Sequence, residues 1–344
     1  MTYYAALDVG LRAVALCIVD DAGAVRLEKS LPSEVSDIVA CLCGFGEEIA
    51  CVGLEAGSLT QWLTYGLRAA GFKPVVLEAR HVQAALAAMR NKTDRNDARG
   101  IAQILRTGWY RPVYVKSLES HYTRTLLAAR KALLRKCIDL ENEVRGLLKV
   151  FGIKLMPGLR HGAFDQVVRE PIQANAELRH ALAPLLDVRL ELHKAFLEMD
   201  RRVKTLAHSD QICRLLMTAP GVGYIAALTF KAAVDDPSRF KRSKTVAAHF
   251  GLTPRRYQSG DRDNPGHISK AGDTEVRSAL YAAANIIMTR SSKTSALKAW
   301  GHRLARSKGR KRALVAVARK LAVILHTMWI DGTEFCMKPQ EAAA

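Results

Sequence analysis

Residues 3–32, "YYAALDVGLRAVALCIVDDAGAVRLEKSLP", contain three β-rich runs that are separated by short turns. The runs are "YYAALDVG", "AVALCIVD" and "GAVRLEKSL", and a turn signal at residues 21–23 introduces the third. Strands joined by so few residues run antiparallel, because a parallel connection needs a crossover of a dozen residues or more. The stretch therefore predicts an antiparallel meander at the start of the chain.

Helical and strand patterns alternate over the rest of the first 115 residues. A helical segment at about 33–46 precedes the apolar strand "IACVGLEAG", and the helix "SLTQWLTYGLRAAG" precedes the strand "KPVVLEA". Helical patterns follow at about 79–90 and 94–107. The order βββαβαβα predicts a mixed sheet flanked by helices, the ribonuclease-H-like arrangement, in a domain covering 1–115.

Two further domains are predicted after the first, both mainly helical. Residues 116–215 carry two long amphipathic patterns, which predict a helical hairpin or coiled coil that serves as a spacer or a subunit interface. Residues 216–344 begin with "TAPGVGYIAALTF", in which a glycine turn separates two apolar helical segments. The predicted fold class is therefore α/β plus α.

The charge balance indicates a polyanionic partner. The 344-residue chain has 52 Lys and Arg against 33 Asp and Glu, a net charge of +19, which favours nucleic acid. Between Val276 and Ile330 there is no acidic residue, while basic residues crowd the second half of this stretch, Lys293 among them. We interpret it as a phosphate-contact surface rather than only a solvated basic face.

Other locations and site types are not favoured by the sequence. The start "MTYYAALDVG" lacks the pattern of a signal peptide, and we expect no apolar run of ~18 residues and no membrane partner. The seven cysteines are scattered without zinc-ligand spacing, which predicts reduced thiols and a cytoplasmic protein.

Four carboxylates are candidate metal ligands. Asp94 and Asp97 share one helix face, although alone they fit an ordinary helix start with Asp94 as the N-cap. Asp8 in the first strand and Glu55 at the end of the fourth become neighbours in the predicted sheet, beneath that helix. Like charges so close need cations, and oxygen ligands favour Mg²⁺ or Mn²⁺.

The motifs "LDVG", "GLEAG" and "KTDRNDARGIAQ" together resemble the DEDD transposases of the insertion-sequence one-ten family. The resemblance continues in "APGVGYIAALTF", "FGLTPRRYQSG" and "GHISKAGDTEVRSALYAAA", and so covers nearly the whole chain. It implies a resolvase-type ribonuclease-H fold, metal binding by Asp8, Glu55, Asp94 and Asp97, and Ser259 as the nucleophile. It also implies a prokaryotic, nucleoid-associated enzyme that acts as a dimer to tetramer on donor and target DNA, guided by a noncoding RNA.

The residues around Ser259 leave its role open. A Ser-Gly pair is usually a turn, no histidine is obviously paired with the serine, and Tyr257 is a rival nucleophile. Glycines in "PGVG" would let backbone amides approach a phosphate, unless this is a plain interhelical turn. The candidate nucleic-acid contacts are Gly221, Gly223, Arg255, Arg256, Lys270, Arg277, Arg310, Lys311 and Arg312.

The predicted function is a mobile-element recombinase that forms a phosphoserine link to DNA and then religates the strands. The main alternative is a metal-dependent nuclease or junction resolvase in which the four carboxylates activate water and Ser259 is a bystander. An actin-like sugar kinase is a second alternative, since "LDVGLRAVALCIVD" resembles its first phosphate loop; the high positive charge and the lack of a second such loop oppose it. A catalytically silent nucleic-acid-binding protein would require that the carboxylates be dispensable.

Overall fold

The computed structural model describes residues 1–87, 89, 91–259, 262–292 and 294–337, except the side chains of 257, 259 and 262–265. Lys293 of the basic stretch therefore lies outside the described residues. The chain divides into two compact units, Met1–Lys116 and Ser117–Ala344.

The first unit is a mixed sheet with helices on both faces, as the sequence predicts. Its elements are β1 (Tyr3–Val9), β2 (Ala13–Val19), β3 (Val25–Pro32), α1 (Val35–Cys43), β4 (Ile49–Glu55), α2 (Thr60–Ala69), β5 (Pro74–Leu77), α3 (Ala79–Leu86) and α4 (Asp94–Thr107). The strand order is β3-β2-β1-β4-β5. The first three strands pair antiparallel, and β4 and β5 join parallel to β1. The predicted meander and the predicted adjacency of the first and fourth strands are both confirmed.

Alternation along the strands gives the sheet two buried faces. On one face Leu7, Val52 and Leu54 pack with residues of α1 and α2. On the other face Ala6 and Cys17 pack against α4. The sheet is therefore covered on both sides, and residues at the ends of its strands are left to form a site.

The second unit begins with a pair of long helices. Its elements are α5 (Leu118–Lys149), α6 (Phe164–Ile172), α7 (Ala176–Ser209), α8 (Gln211–Met217), α9 (Tyr224–Val234), α10 (Ser243–His249), β6 (Pro254–Ser259), β7 (Arg262–Ile268), α11 (Thr274–Thr289), α12 (Ala296–Lys308) and α13 (Arg310–Asp331), with short 3₁₀ helices at His161–Ala163 and Pro237–Arg239. α5 and α7 run antiparallel along each other, as contacts of Arg130 with Asp200 and of Glu141 with Arg189 show.

The helices from α8 to α13 enclose the largest apolar core of the second unit, with α13 near its centre. Leu314, Val317, Leu321 and Leu325 of α13 are buried there. By length and composition α13 could span a membrane, but half of its most apolar 18-residue window is buried inside the protein. Arg319 and Lys320 interrupt this window, so it is not an unbroken apolar run, and core packing explains the hydropathy of the helix.

Candidate active site

The sheet brings Asp8 and Glu55 side by side. Leu7 of β1 pairs with Leu54 of the parallel strand β4, so the next residues, Asp8 and Glu55, lie together at the carboxyl ends of the two strands. Because side chains alternate between faces, Asp8 shares the α4 side of the sheet with Ala6. Glu55 shares that side with Gly53, where an added Cβ would lie 3.0 Å from a methyl group of Leu105 in α4.

The first turn of α4 supplies the other two carboxylates. Ala98, Ile101 and Leu105 are the buried residues of this helix, and Asp94 and Asp97 extend the same face by one turn. The N-cap is Thr93, whose side chain accepts a hydrogen bond from the Asn96 amide at 3.2 Å. The alternative prediction of Asp94 as the N-cap is therefore wrong, and neither aspartate is needed to cap the start of the helix.

The carboxylates influence one another electrostatically. The pKa of Asp8 is raised by burial and by the charges of Asp94 and Asp97, and Lys92 partly offsets the rise. The pKa of Glu55 is raised by burial and by the charges of Asp8 and Asp97, again with Lys92 opposing. These shifts indicate four like-charged groups close enough to repel, which is the electrostatic setting of a cation site.

The donor chemistry fits a hard divalent cation, but the side chains are not arranged as a closed ligand cage. Four carboxylates offer only oxygen ligands, which suit Mg²⁺ or Mn²⁺. Within the described part of the chain, no three His, Cys, Asp or Glu side chains form a group that would hold a metal ion. Asp94 is exposed at the start of its helix, so its side chain is accessible to a cation from solvent.

An ion-pair cluster anchors α4 over the sheet. Glu28 of β3 accepts hydrogen bonds from Arg95 Nε at 2.6 Å and from Arg99 Nη2 at 2.7 Å. Arg95 lies between Asp94 and Asp97 in sequence, yet its guanidinium reaches Glu28 instead of neutralising its neighbours. Sequence patterns missed this role of Glu28, because it depends on which strand lies beneath the helix.

We expect Glu28→Gln to weaken this anchor most strongly near neutral pH. The two arginines lower the pKa of Glu28 from 4.5 to about 2, with the hydrogen bond from Arg99 as the largest cause. The stabilisation is therefore complete above pH 4.5 and disappears as the pH falls toward 2. Urea unfolding should show a loss of roughly 1 kcal/mol at pH 7, because the arginines are partly exposed, and this difference should shrink in acid. Glu47→Gln, at an exposed loop position, is the control, and a pH-independent difference would contradict the assignment.

The second unit holds Ser259 at the end of a strand. β6 and β7 form a two-stranded antiparallel hairpin, in which Ser259 pairs with Arg262. The prediction of a mainly helical third domain therefore missed both strands. The side chains of Ser259 and of its rival Tyr257 lie outside the described residues, so the choice of nucleophile stays a prediction.

The predicted phosphate contacts near the hairpin differ in their surroundings. Arg255 and Arg256 are exposed on β6, and Lys270 is exposed with a left-handed φ of 55°. Arg277 instead donates hydrogen bonds to the carbonyl oxygens of Ala271 at 2.9 Å and of Gly272 at 3.0 Å. We expect Arg277 to hold this loop in place rather than to contact DNA.

The glycine turn of "PGVG" connects α8 to α9. Gly221 has a φ of 77°, and an added Cβ would lie 2.5 Å from the Ala283 carbonyl oxygen, so this position requires glycine. Gly223 is the N-cap of α9 and has open space where a side chain would be. The turn leaves the first amides of α9 approachable, as a phosphate contact would need.

The basic end of the chain is solvent-accessible. Arg310, Lys311 and Arg312 are exposed in the first turn of α13, and Arg310 donates a hydrogen bond to Asn285 Oδ1 at 3.1 Å. Cations at a helix N-terminus oppose the helix dipole, so they are not placed there for the stability of α13. An external anion is the expected partner.

Comparison with known proteins agrees with these features. A family model described as "Transposase" matches residues 5–153, and one described as "Transposase IS116/IS110/IS902 family" matches residues 213–299. The transposase for insertion sequence element IS1111A of Coxiella burnetii is 28% identical over 93% of this chain and 87% of its own length. A probable family 20 transposase of Pseudomonas aeruginosa is 30% identical over 72% of this chain and 75% of its own length.

A weaker likeness exists among solved structures. Thermus thermophilus RuvC in complex with a Holliday junction substrate is 14% identical, covers 33% of this chain and 100% of its own, and has a TM-score of 0.27. The sequence relatives and the family models carry the assignment. The chain belongs to the IS116/IS110/IS902 family of transposases, enzymes that cut and rejoin DNA.

Proposed function

We propose that this transposase is a DNA recombinase whose ribonuclease-H-like unit, Met1–Lys116, holds divalent metal through Asp8, Glu55, Asp94 and Asp97. The observation that carries the proposal is the adjacency of Asp8 and Glu55 at the strand ends, with the first turn of α4 on the same face. These four carboxylates would hold Mg²⁺ or Mn²⁺, which would neutralise charge at the scissile phosphate. The carboxylates position that charge, and Lys92 tempers their mutual repulsion.

Ser259 is the proposed nucleophile. Its Oγ forms a bond to phosphorus as the bond from phosphorus to one sugar oxygen breaks; the serine hydroxyl loses a proton and the sugar oxygen gains one. The phosphoserine ester keeps the bond energy, so attack by a sugar hydroxyl on the ester rejoins DNA without ATP. Arg255, Arg256 and Lys270 would hold the phosphate, and the family resemblance supports this assignment.

The remaining partners are proposed on charge and on resemblance. The exposed cations of α13 and the amides at Gly223 support contact with DNA backbone, and the net charge of +19 supports binding of a guide RNA as well. If base pairing with RNA supplies sequence specificity, the protein needs to recognise mainly backbone and shape. The family resemblance supports the cytoplasm of a prokaryote as the site of action.

Two leucine seams on the helical hairpin support a homo-oligomer. Residues seven apart form one seam on each helix, Leu126, Leu133, Leu140 and Leu147 on α5, and Leu185, Leu192, Met199 and Leu206 on α7. On each helix, the residue that follows each seam position packs against the other helix. Because the two helices run antiparallel, both seams lie on the same side of the hairpin. Leu206 is exposed, which would suit a coiled-coil contact with another copy.

A specific arrangement favours the second candidate, a resolvase-like nuclease. All four carboxylates lie within Met1–Lys116, whereas Ser259 belongs to the other unit. The first unit alone would therefore hold the groups needed for metal-assisted attack by water. In a recombinase, a composite site would bring Ser259 of one subunit to the carboxylates of another.

A denaturing gel for covalent protein–DNA adducts separates these functions. We expect purified protein, element-end DNA, the flanking noncoding RNA and Mg²⁺ to give an adduct that Ser259→Ala and Asp94→Ala abolish. Ser209→Ala, an exposed serine at the end of α7, is the control and should leave the adduct unchanged. Omitting the RNA should also abolish the adduct.

Mixing the two inactive variants tests the composite site. Subunits carrying Ser259→Ala and Asp94→Ala should together regain part of the adduct, since each supplies the group that the other lacks. Cleavage that needs Asp94, forms no adduct and survives Ser259→Ala would make the protein a resolvase-like nuclease. If wild-type protein forms the adduct but the mixed variants regain none of it, Ser259 and Asp94 act within one subunit, which would contradict the composite site.

A further inference from the structure

The far end of the α5–α7 hairpin is a structured loop. After α5, Gly152 takes a φ of 73° and the Ile153 amide donates a hydrogen bond to the Leu148 carbonyl at 3.1 Å, which closes the helix. Ile153, Leu155 and Leu159 then pack against the apolar cluster that contains Phe164. We call residues 147–160 the arm tip; its backbone is held in place by these anchors.

The arm tip presents apolar side chains to solvent. Val150 is 81% exposed, Met156 73%, Phe151 55% and Leu147 40%. Isolated exposed apolar residues are normal on protein surfaces, but four within ten residues of a structured loop form a patch. The alternation of anchored and projecting residues indicates that the exposure is built into the fold.

The same loop is positively charged and free of acids. No Asp or Glu occurs between Val144 and Phe164. Lys149, Lys154 and Arg160 are exposed. Within the described part of the chain, none of the three forms an ion pair. Arg145 is different, because its guanidinium lies 5.4 Å from the Phe164 ring centroid and donates to the Met156 carbonyl.

This combination favours DNA over other partners. A second copy of the same tip would bring like charges together across a two-fold axis, which opposes association. A membrane-binding surface would present the apolar face of a longer amphipathic helix, whereas here the apolar residues lie at a helix end and in a loop. Apolar wedges flanked by cations are instead typical of proteins that unstack a base step and contact the neighbouring phosphates.

We propose that the arm tip is a DNA wedge. Phe151 and Met156 enter an opened base step of duplex DNA, while Lys149, Lys154 and Arg160 contact the flanking phosphates. The proposal rests on the family's action on DNA and not on the serine mechanism or the guide RNA. The wedge would favour the unpaired, bent DNA on which strand exchange depends.

Binding of the full-length protein to two fluorescein-labelled duplexes tests the wedge. The duplexes have the same sequence except for one central mismatch, at which the bases unstack more easily. Wild-type protein should bind the mismatched duplex about tenfold more tightly, and Phe151→Ala should remove most of that preference. Lys154→Ala should weaken binding to both duplexes and lower the salt slope by about 1.

Matched controls lie on α7 of the same hairpin. Leu197→Ala removes a side chain that is 48% exposed, and Lys204→Ala removes an exposed cation; both should leave binding unchanged. The wedge is refuted if wild type shows no preference or if Phe151→Ala retains it. If Phe151→Ala leaves DNA binding unchanged but loses binding to phosphatidylserine vesicles, the tip binds lipid instead. If Phe151→Ala leaves DNA binding unchanged but forms a smaller oligomer in sedimentation, the tip contacts another copy instead. Because this assay needs no cleavage, its failure is distinguishable from failure of the adduct test.

Discussion

Asp8→Asn should lower DNA cleavage by about 10³-fold, because loss of a proposed metal ligand would remove several kcal/mol of transition-state stabilisation. Asp8 has no substitute in the described site. It lies beside Glu55 near the end of β1, on the α4 side of the sheet, and its pKa is raised by burial and by the charges of Asp94 and Asp97. An amide of the same shape removes the charge but keeps the packing.

The same substitution should stabilise the metal-free protein. The pKa of Asp8 is raised in the folded state, so the folded protein holds this proton more tightly than the unfolded chain. The associated stability is therefore lost as the pH rises from the unfolded pKa through the folded one, and at pH 7 the full electrostatic cost remains. Asp8→Asn should recover ~1 kcal/mol or less, because the carboxyl is partly exposed and solvent screens it.

Thermal unfolding with and without Mg²⁺ measures the effect of Asp8→Asn on stability and on metal binding. Without metal, the melting temperature of Asp8→Asn should exceed that of wild type by a few degrees at pH 7, and the difference should vanish below pH ~4. Added Mg²⁺ should stabilise wild type more than the variant. Asp21→Asn, in an exposed turn, should behave like wild type throughout. A variant that is inactive but also less stable without metal would show that Asp8 is structural.

Local patterns were sufficient to predict the sheet and the helix that carry the carboxylates. The short turns in residues 3–32 dictated the antiparallel meander, and the long connection to "IACVGLEAG" dictated a parallel neighbour for β1. α4 begins at Asp94 and ends at Thr107, as its pattern predicted, because Gly108 takes a left-handed φ of 70° after it. The adjacency of Asp8 and Glu55 then follows from this strand order together with the register that pairs Leu7 with Leu54.

Features that depend on tertiary context were missed. Glu28 is an ordinary charged strand residue until α4 places Arg95 and Arg99 above it. The β6–β7 hairpin carries many charged residues, so its apolar alternation is weak, although the Gly-Asp pair in "YQSGDRD" is a hairpin signal.

Among the residues that the structure describes, Arg189 is the largest fully buried side chain, and no sequence pattern identified it. Only 1% of its side chain is exposed, in the middle of α7. Its Nε donates a hydrogen bond to Glu141 of α5 at 3.0 Å, and the guanidinium also binds Asp165 of α6 and the His161 carbonyl. One cation thus joins α5, α6 and α7.

Arg189→Met should destabilise the second unit by about 3–5 kcal/mol, because two buried carboxylates would lose their cation. At about 2–4 °C per kcal/mol for a unit of this size, the melting temperature should fall by roughly 10 °C. Differential scanning calorimetry measures the change. Arg202→Met, on the same helix, is the control, since its ion pair with Glu198 is 66% and 57% exposed and should contribute less than ~1 kcal/mol.

A compensated variant separates the charge from the packing in this prediction. Adding Glu141→Gln and Asp165→Asn to Arg189→Met removes the buried charges, so most of the lost stability should return. One oxygen of Asp165 is already buried without a hydrogen-bond partner, which makes this carboxylate costly to leave uncompensated. If the triple variant stays as unstable as Arg189→Met, the guanidinium contributes through its packing on Phe164, 5.2 Å from the ring centroid, rather than through charge.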